Sequence, residues 1–325
     1  MSSDFGSRAP FAGRASRRGS GTAQLREVLE AHRAWLEKLP EGKRASLTAW
    51  ALNEAQLEGA GLRGALLRGC SFLEAKLSKA DLSQCVMIRC DFSQAVLAGA
   101  DLSGAELKSC AFDACLLSES NLIEVRAYGC RFSRALLREA RMMEGQFQEC
   151  NFTGAVLSGA SLHYASLGSS DFSEADLEGA LLYHASATGA RFVAARMARA
   201  NFAAARLQAC DFRHAQLLAA RFNGADLSQS CFARATLEDC DFREARLRGA
   251  DFWGASLENA RFEEADLMAA DFRGANLRGA RGLTATQLLR ARTDETTILP
   301  NGKRGAYLKG SGAERPLSGP ARPFP

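Results

Sequence analysis

Large apolar and small residues recur together every five residues from residue 50 to residue 281. Steps of five from Leu52 to Leu277 define 46 centres, of which 44 are Leu, Phe or Met. The residue two places before each centre, the small position, is Ala, Cys or Ser in 43 of 46 repeats. The exceptions are Ala127 and Ala187 among the centres, and Trp50, Val125 and Gly145 among the small positions. The pattern predicts that both positions point inward in every repeat.

Phenylalanine adds a second period of twenty residues. The centres concerned are Phe72, Phe92, Phe112, Phe132, Phe152, Phe172, Phe192, Phe212, Phe232, Phe252 and Phe272. A period of five fits neither an α-helix nor a β-strand. It fits a coil that turns a corner every five residues and closes after four, so that residues twenty apart stack. Because stacked coils bury a core that no single repeat can form, we predict these phenylalanines as the structural core of a solenoid.

Individual repeats carry a recognisable motif: residues 100–104 read AlaAspLeuSerGly and residues 275–279 read AlaAsnLeuArgGly. This pattern resembles the pentapeptide-repeat family, over about two-thirds of the chain. The resemblance implies an all-β solenoid, a right-handed quadrilateral β-helix with the centre and the small position both pointing inward. At four repeats per coil, residues 50–281 would form about eleven coils, capped by a short α-helix at each end.

The N-terminal part divides into a tail and a cap. Residues 1–21 are rich in Ser, Gly and Arg, which predicts a disordered basic tail. Residues 22–49 are predicted to form a capping helix and lead-in, because apolar residues recur there at helical spacing. Thr22 is the expected N-cap, and Pro40 is expected to end the helix. His32 and Trp35, within HisArgAlaTrpLeu, resemble a lead-in found in many bacterial pentapeptide-repeat proteins. We interpret Trp35 as a cap residue and His32 as a structural histidine.

The repeat ends after Arg281. Residues 282–300 predict a C-terminal cap, because Thr284 and Gln287 have capping-box spacing before a short apolar run. Ile298 and Leu299 are expected to fold back over the last coil. Residues 301–325, rich in Gly, Pro, Lys and Arg, are expected to form a flexible tail.

The ten cysteines do not indicate a metal or disulfide framework. Nine of them occupy the small position, where Cys interchanges with Ala and Ser, and no pair has CxxC spacing. No nucleophile–base motif or phosphate-binding glycine loop is present, and every inward position is small or apolar. The sequence therefore predicts a protein that is not an enzyme and that has no cofactor and no metal site. Without a membrane-length apolar run or a signal peptide, a cytoplasmic location is the expectation.

Charges on the outward positions are unevenly spread. Residues 142–190 contain no Lys or Arg, and arginines are frequent both before and after this segment. Its acids are Glu144, Glu149, Asp171, Glu174, Asp176 and Glu178. Two readings stay open: a solvated surface with chance banding, or an electrostatically patterned interface.

Two apolar columns mark the surface most suited to an interaction. One follows the centres of one wall and the other precedes the centres of the preceding wall, where Asp, Asn or Arg is usual. The candidate interface residues are Ile123, Met143, His163, Tyr164, Tyr183 and His184, with Val96, Leu116, Leu136 and Val156. Contiguous exposed apolar surface often marks an interface, and Tyr and Met are typical of one. Alternatively, the second column is covered by the N-terminal tail or is simply tolerated.

These features favour a non-catalytic interaction or scaffold protein that binds a protein partner through the faces of a rigid β-helix, or that forms a homodimer. The resemblance adds an alternative, because some family members mimic B-form DNA and bind DNA gyrase. DNA carries one charge per about 1.7 Å of helix axis, so a mimic should be acidic along its length. Here 37 acidic residues face 41 Lys and Arg. Nucleic-acid binding through the arginine bands is a third and weaker hypothesis, and no membrane partner is expected.

Overall fold

The computed structural model describes residues 20–316, in two compact units, Met1–Ala45 and Ser46–Pro325. The second unit is a parallel β-solenoid with one short helix, so the expected fold class is confirmed. Most of the expected N-terminal tail, residues 1–19, and residues 317–325 of the expected C-terminal tail lie outside the described residues.

The first unit contains helix α1, Ser20–Leu36. The helix begins two residues before Thr22, so Thr22 lies inside it and is not its N-cap. It also ends at Leu36, before the expected stop at Pro40. The chain turns back here: a Cβ on Gly42 would lie 2.3 Å from the backbone nitrogen of Trp35, which leaves room only for glycine. Within this unit His32 stacks on Trp35 at 5.3 Å and accepts a hydrogen bond from the backbone of Ala45 at its Nδ1.

Six three-residue strands open the second unit. They are β1 (Ser46–Thr48), β2 (Leu66–Arg68), β3 (Val86–Ile88), β4 (Glu106–Lys108), β5 (Arg126–Tyr128) and β6 (Gln146–Gln148). They pair in parallel and in sequence order, each residue with the one twenty later, as in Leu47 with Leu67. Regular strands therefore pair across only five of the steps between successive coils, fewer than the eleven or so coils that the sequence predicts. The remaining steps are made by isolated parallel bridges in the same register, from Ala51–Ser71 to Arg261–Arg281.

The backbone hydrogen bonds explain the five-residue period. In the repeat around Leu52, the N–H groups of Leu52 and Glu54 donate to the next coil, to the carbonyls of Ser71 and Leu73. The N–H of Ala55 closes the corner by donating to the carbonyl of Leu52. The residue two places after each centre has a positive φ, for example 57° at Glu54, and this left-handed residue turns the chain. Backbone groups are thus satisfied between coils, as buried ones must be.

All eleven phenylalanines of the twenty-residue series are fully buried. Their rings stack in one column at centroid distances from 4.6 Å, for Phe72 and Phe92, to 5.1 Å, for Phe172 and Phe192. The second column, at residues 202, 222, 242 and 262, meets the first edge-on, as Phe202 does with Phe212 at 6.3 Å. Parallel stacks in each column and edge contacts between columns fill the coil interior.

The coil register ends near Arg281. Helix α2, Ala285–Arg290, follows with the capping box expected at Thr284 and Gln287. The last bridges are offset by more than twenty residues, Asp271 with Arg292 and Asn276 with Ile298, because the chain of α2 is inserted there. Ile298 therefore does return to the last coil.

Residues 301–316 are not the flexible tail that the sequence suggested. Tyr307 is buried, and its hydroxyl donates to Glu314 at 2.9 Å. The backbone N–H of Tyr307 donates to the hydroxyl of Thr293 at 2.9 Å, and Ala313 is also buried. The two buried residues, Tyr307 and Ala313, lie in a polar stretch and form no periodic pattern. The prediction of a flexible tail, which was based on composition, was therefore wrong for residues 301–316.

Candidate interaction surface

Four aromatic side chains project from one corner of two successive coils. His163 and Tyr183 follow the centres Leu162 and Leu182, and Tyr164 and His184 are the next residues in each coil. Tyr164 and His184 occupy the left-handed position of the corner, with φ of 60° and 58°. Because that conformation directs the side chain away from the core, Tyr164 is 55% exposed. We call these four residues the aromatic cluster.

The four rings form two crossed stacks. His163 lies parallel to Tyr183 at 4.7 Å, and Tyr164 lies parallel to His184 at 5.1 Å. The stacks meet edge-on, with Tyr164 6.0 Å from Tyr183. Within residues 20–316, the Nδ1 of His163 is buried without a hydrogen-bond partner. The cluster is therefore a preorganised aromatic surface with an unused polar atom at its base.

The apolar columns accompany this cluster. Ile123 and Met143 are half-buried and lead along one wall to His163. On the preceding wall, Leu116 is 37% exposed, while Val96, Leu136 and Val156 are half-buried. Bridges join these four residues in order along the column, coil after coil. The sequence-predicted residues thus lie on two adjacent walls, at one side of the solenoid.

Leu181 belongs to the same wall as the cluster and was missed by the sequence reasoning. It is 37% exposed and forms a bridge with Ser161 in the previous coil. The signal was available, since Leu181 precedes the centre Leu182 at a position where polar residues are usual. Its place beside Tyr183 extends the exposed apolar surface by one side chain.

The acidic segment is partly neutralised by the coil that follows it. Asp171 pairs with Arg191 at 3.4 Å, and Asp176 with Arg196 at 3.9 Å. Glu178 forms ion pairs with Arg196 and Arg199. These pairs join residues of neighbouring coils, so much of the charge banding seen in sequence is a set of contacts between coils.

A shallow polar groove leads up to the aromatic cluster. It measures about 420 Å³ and is lined by Gln84, Gly104, Glu124, Arg126, Glu144 and Gln146. Arg126 pairs with Glu106 at 3.5 Å, whereas Glu124 and Glu144 form no ion pair within the described part of the chain. The column of corner residues runs from Glu124 through Glu144 to Tyr164, since each N–H of the column donates to the coil after it. The surface therefore joins exposed carboxylates to exposed aromatic rings.

Between residues 20 and 316, no group of three or more His, Cys, Asp and Glu side chains is placed to hold a metal ion. No helix in that part of the chain has the length and apolar character needed to cross a membrane.

Fold and surface together define a repeat protein of the β-solenoid class, whose coils form a regular scaffold with a laterally exposed aromatic patch. The family model for pentapeptide repeats matches this sequence in eight copies between residues 52 and 281. The chain belongs to the pentapeptide repeat family.

Solved structures of the same kind are similar to this chain. HetL, a pentapeptide repeat protein involved in heterocyst differentiation regulation from the cyanobacterium Nostoc sp. strain PCC 7120, is 27% identical, with 84% of this chain and 96% of HetL covered and a TM-score of 0.32. Rfr23 from the cyanobacterium Cyanothece 51142 is 23% identical, with 34% and 89% covered and a TM-score of 0.31. A trypsin-treated form of QnrB1, a plasmid-mediated fluoroquinolone resistance protein, is 23% identical, with 66% and 90% covered and a TM-score of 0.22. The search of curated proteins gave no match.

Proposed function

We propose that this protein is a non-catalytic scaffold that binds a partner protein at the aromatic cluster and the groove beside it. The partner segment presents a basic side chain, Arg or Lys, to the rings and to the carboxylates of Glu124 and Glu144. The single observation that carries the proposal is the exposed, crossed stack of His163, Tyr164, Tyr183 and His184.

Charge complementarity supports a basic partner. Cations bind over the faces of aromatic rings, with a gain of roughly 0.5–2 kcal/mol per contact depending on exposure. The segment from 142 to 190 supplies no Lys or Arg that would compete for those rings. The apolar residues nearby, Met143 and Leu181 among them, would cover the aliphatic part of the same side chain. Interface hot spots are enriched in Tyr, which fits the composition of this patch.

The DNA-mimic hypothesis has less support. A mimic of DNA would present carboxylates along many coils, whereas the acids Asp171, Asp176 and Glu178 are paired with arginines of the following coil. Such pairs lower the negative potential that a DNA-binding enzyme would read. A gyrase supercoiling assay tests this alternative directly, with inhibition or protection from a quinolone as the outcome in its favour.

The experiment compares three forms of the full chain in affinity capture from native lysate and in sedimentation velocity. The test variant is Tyr164→Ala with Tyr183→Ala, which removes both tyrosine rings without adding a carboxylate that would attract a basic partner. The matched control is Trp253→Ala, which removes another exposed aromatic residue of the solenoid, stacked with Arg234 at 4.8 Å. Captured proteins are then assayed as purified components, with synthetic peptides in which their Arg and Lys residues are replaced by Gln.

We expect the control to retain the partner and the test variant to lose it, with melting temperatures within a few degrees of the wild type. Peptides without basic residues should bind at least tenfold more weakly. If the double variant retains the same partner with unchanged affinity, the patch is not the site. Loss of self-association in the double variant alone would identify a second copy of this chain as the occupant, and the basic-segment proposal would then be wrong.

A further inference from the structure

Five cysteines of consecutive coils stand in one interior column. They are Cys70, Cys90, Cys110, Cys130 and Cys150, called here the cysteine ladder. All five are free thiols and only 1–2% exposed. The other buried cysteines, such as Cys85 and Cys240, have no cysteine one coil above or below them in sequence register. The ladder is therefore a distinct chemical feature of the first half of the solenoid.

The thiols repeat with the rise of the coil. In the same coils, the ring centroids of successive phenylalanines from Phe72 to Phe152 are 4.6–5.0 Å apart. The thiols also share one orientation: each of the five donates to the carbonyl two residues earlier, at 3.4–3.7 Å. Equivalent atoms in equivalent orientations stack at the coil rise, so neighbouring sulphur atoms lie nearly one rise apart.

This spacing discriminates between two thiol chemistries. A disulfide needs Cβ atoms about 3.5–4.5 Å apart, which is shorter than the coil rise, so a disulfide would strain the ladder. A metal ion placed midway between two thiolates needs sulphur atoms separated by two metal–sulphur bonds, each about 2.3 Å, or about 4.6 Å in total. Zinc requires four ligands in a tetrahedron, which a straight column of thiols does not supply. The ladder matches linear coordination by two ligands.

We propose that the cysteine ladder binds soft, two-coordinate d10 cations, of which Hg²⁺ and Cu⁺ are examples, between thiols of adjacent coils. Thiolates select such ions over hard cations. For Hg²⁺ the reaction is two R–SH plus Hg²⁺ giving R–S–Hg–S–R plus two protons released to solvent. The Hg²⁺ product is neutral, which suits a buried site. With Cu⁺ the same loss of two protons gives R–S–Cu–S–R with one negative charge, and neither reaction involves oxidation or reduction.

Without a cation, the ladder thiols pack as small apolar groups, because buried Cys behaves as a small hydrophobe. The same column holds Ala at Ala190 and Ala250, both fully buried. Packing and cation binding are therefore compatible uses of one column.

The test counts Hg²⁺ bound per full-length chain by native mass spectrometry in excess glutathione, which removes the ion from single thiols. Two variants each keep three ladder thiols. Cys90→Ala with Cys130→Ala leaves no adjacent pair, whereas Cys70→Ala with Cys150→Ala leaves Cys90, Cys110 and Cys130 adjacent. Alanine is tolerated in this column, as Ala190 and Ala250 show, and thermal unfolding checks that each variant is folded.

We expect two ladder-bound Hg²⁺ ions in the wild type, one in the variant that keeps adjacent thiols, and none in the variant without adjacent pairs. A parallel titration with Cu⁺ under reducing, anaerobic conditions should rank the three proteins in the same order. Equal retention by both variants would show that adjacency is irrelevant and would overturn the proposal. So would a wild type that retains no Hg²⁺ in glutathione, or a disulfide formed between ladder cysteines in its place.

Discussion

The ring of Phe147 occupies the space that a side chain on Gly145 would need: a Cβ on Gly145 would lie 2.4 Å from the Cε2 of Phe147. Phe147 is the one aromatic centre in its column, and Ala127, in the coil before it, is one of the two small centres of the solenoid. The large ring of Phe147 is thus accommodated by the absence of a side chain at Gly145 and by the small side chain of Ala127. Total core volume is conserved while the local pattern is broken.

This relationship predicts that Gly145→Ala destabilises the protein by about 1–3 kcal/mol, the usual effect of overpacking a core. Adding Phe147→Leu should recover most of that loss, because Leu is the residue at Leu107 and Leu167 in the same column. Urea unfolding of the two single variants and the double variant measures the coupling between the two sites. Additive effects would mean that the ring and the glycine do not interact.

The phenylalanine column should carry a large share of the stability. Phe172 stacks on Phe152 at 4.7 Å and on Phe192 at 5.1 Å, so Phe172→Ala removes two ring contacts and leaves a cavity. We expect a loss of roughly 3–5 kcal/mol in the free energy of unfolding. Phe172→Leu, which keeps most of the volume, is the control and should cost less than half as much. Chemical denaturation decides between them.

Deletions test the coil register. Removal of residues 173–192 takes out one whole coil and keeps every pairing of a residue with the one twenty later. Removal of residues 173–177 shifts all later columns by one wall, so that phenylalanine centres would stack on leucine centres of the neighbouring coil. We therefore expect the longer deletion to fold cooperatively and the shorter one to lose stability or aggregate. Circular dichroism melting of both proteins measures this, and a more stable short deletion would contradict the register.

Corner geometry predicts opposite effects for one substitution at adjacent residues. Ala194 has a φ of 56°, a left-handed conformation that costs a non-glycine residue roughly 1–2 kcal/mol. Ala194→Gly should therefore stabilise the protein by about 0.5–1 kcal/mol. Ala195 is fully buried in the small position, so Ala195→Gly should destabilise it. Shifts of the same sign in thermal unfolding would argue against this account.

The C-terminal segment should be sensitive to acid through Asp294. The hydroxyl of Thr296, the backbone N–H of Gly274 and the hydroxyl of Thr297 all donate to this carboxylate and hold its pKa at about 2. Because the folded pKa is depressed, the stabilisation is present above the ordinary pKa of aspartate, near 3.9, and is lost as pH falls towards 2. Asp294→Asn should lower the melting temperature at neutral pH and flatten its decline in acid. Glu295→Gln, an exposed neighbour, is the control.

The five-residue period was sufficient to predict which residues face inward, because each repeat makes the same hydrogen bonds to the next coil. It also predicted that His163 would meet Tyr183, since they are twenty residues apart. The exposure of Leu181 was not predicted, although its position was apolar where polar residues are usual. The left-handed corners were not predicted either, because Ala, Glu and Arg occupy most of them and carry no glycine signal.

Prediction failed where the period stopped. Beyond Arg281 the offsets between paired residues change from twenty to 21 and 22, and only the local capping motif at Thr284 was readable. Tyr307 and Ala313 are buried by contacts specific to this end, which composition does not encode. The candidate interaction surface shows the same division: periodicity predicts where its residues lie, whereas the proposed class of partner is inferred from charge and ring geometry.

The return of the chain at Ile298 bears on self-assembly. Ile298 bridges the last coil in parallel on one side and Arg304 in antiparallel on the other. A stack of parallel coils is otherwise a template for end-to-end growth, since its terminal edge offers N–H and C=O groups to any similar strand. A strand of reversed direction, followed by the buried Tyr307, gives an incoming coil neither the polarity nor the register to continue the stack. This end of the solenoid is thereby protected against fibril growth.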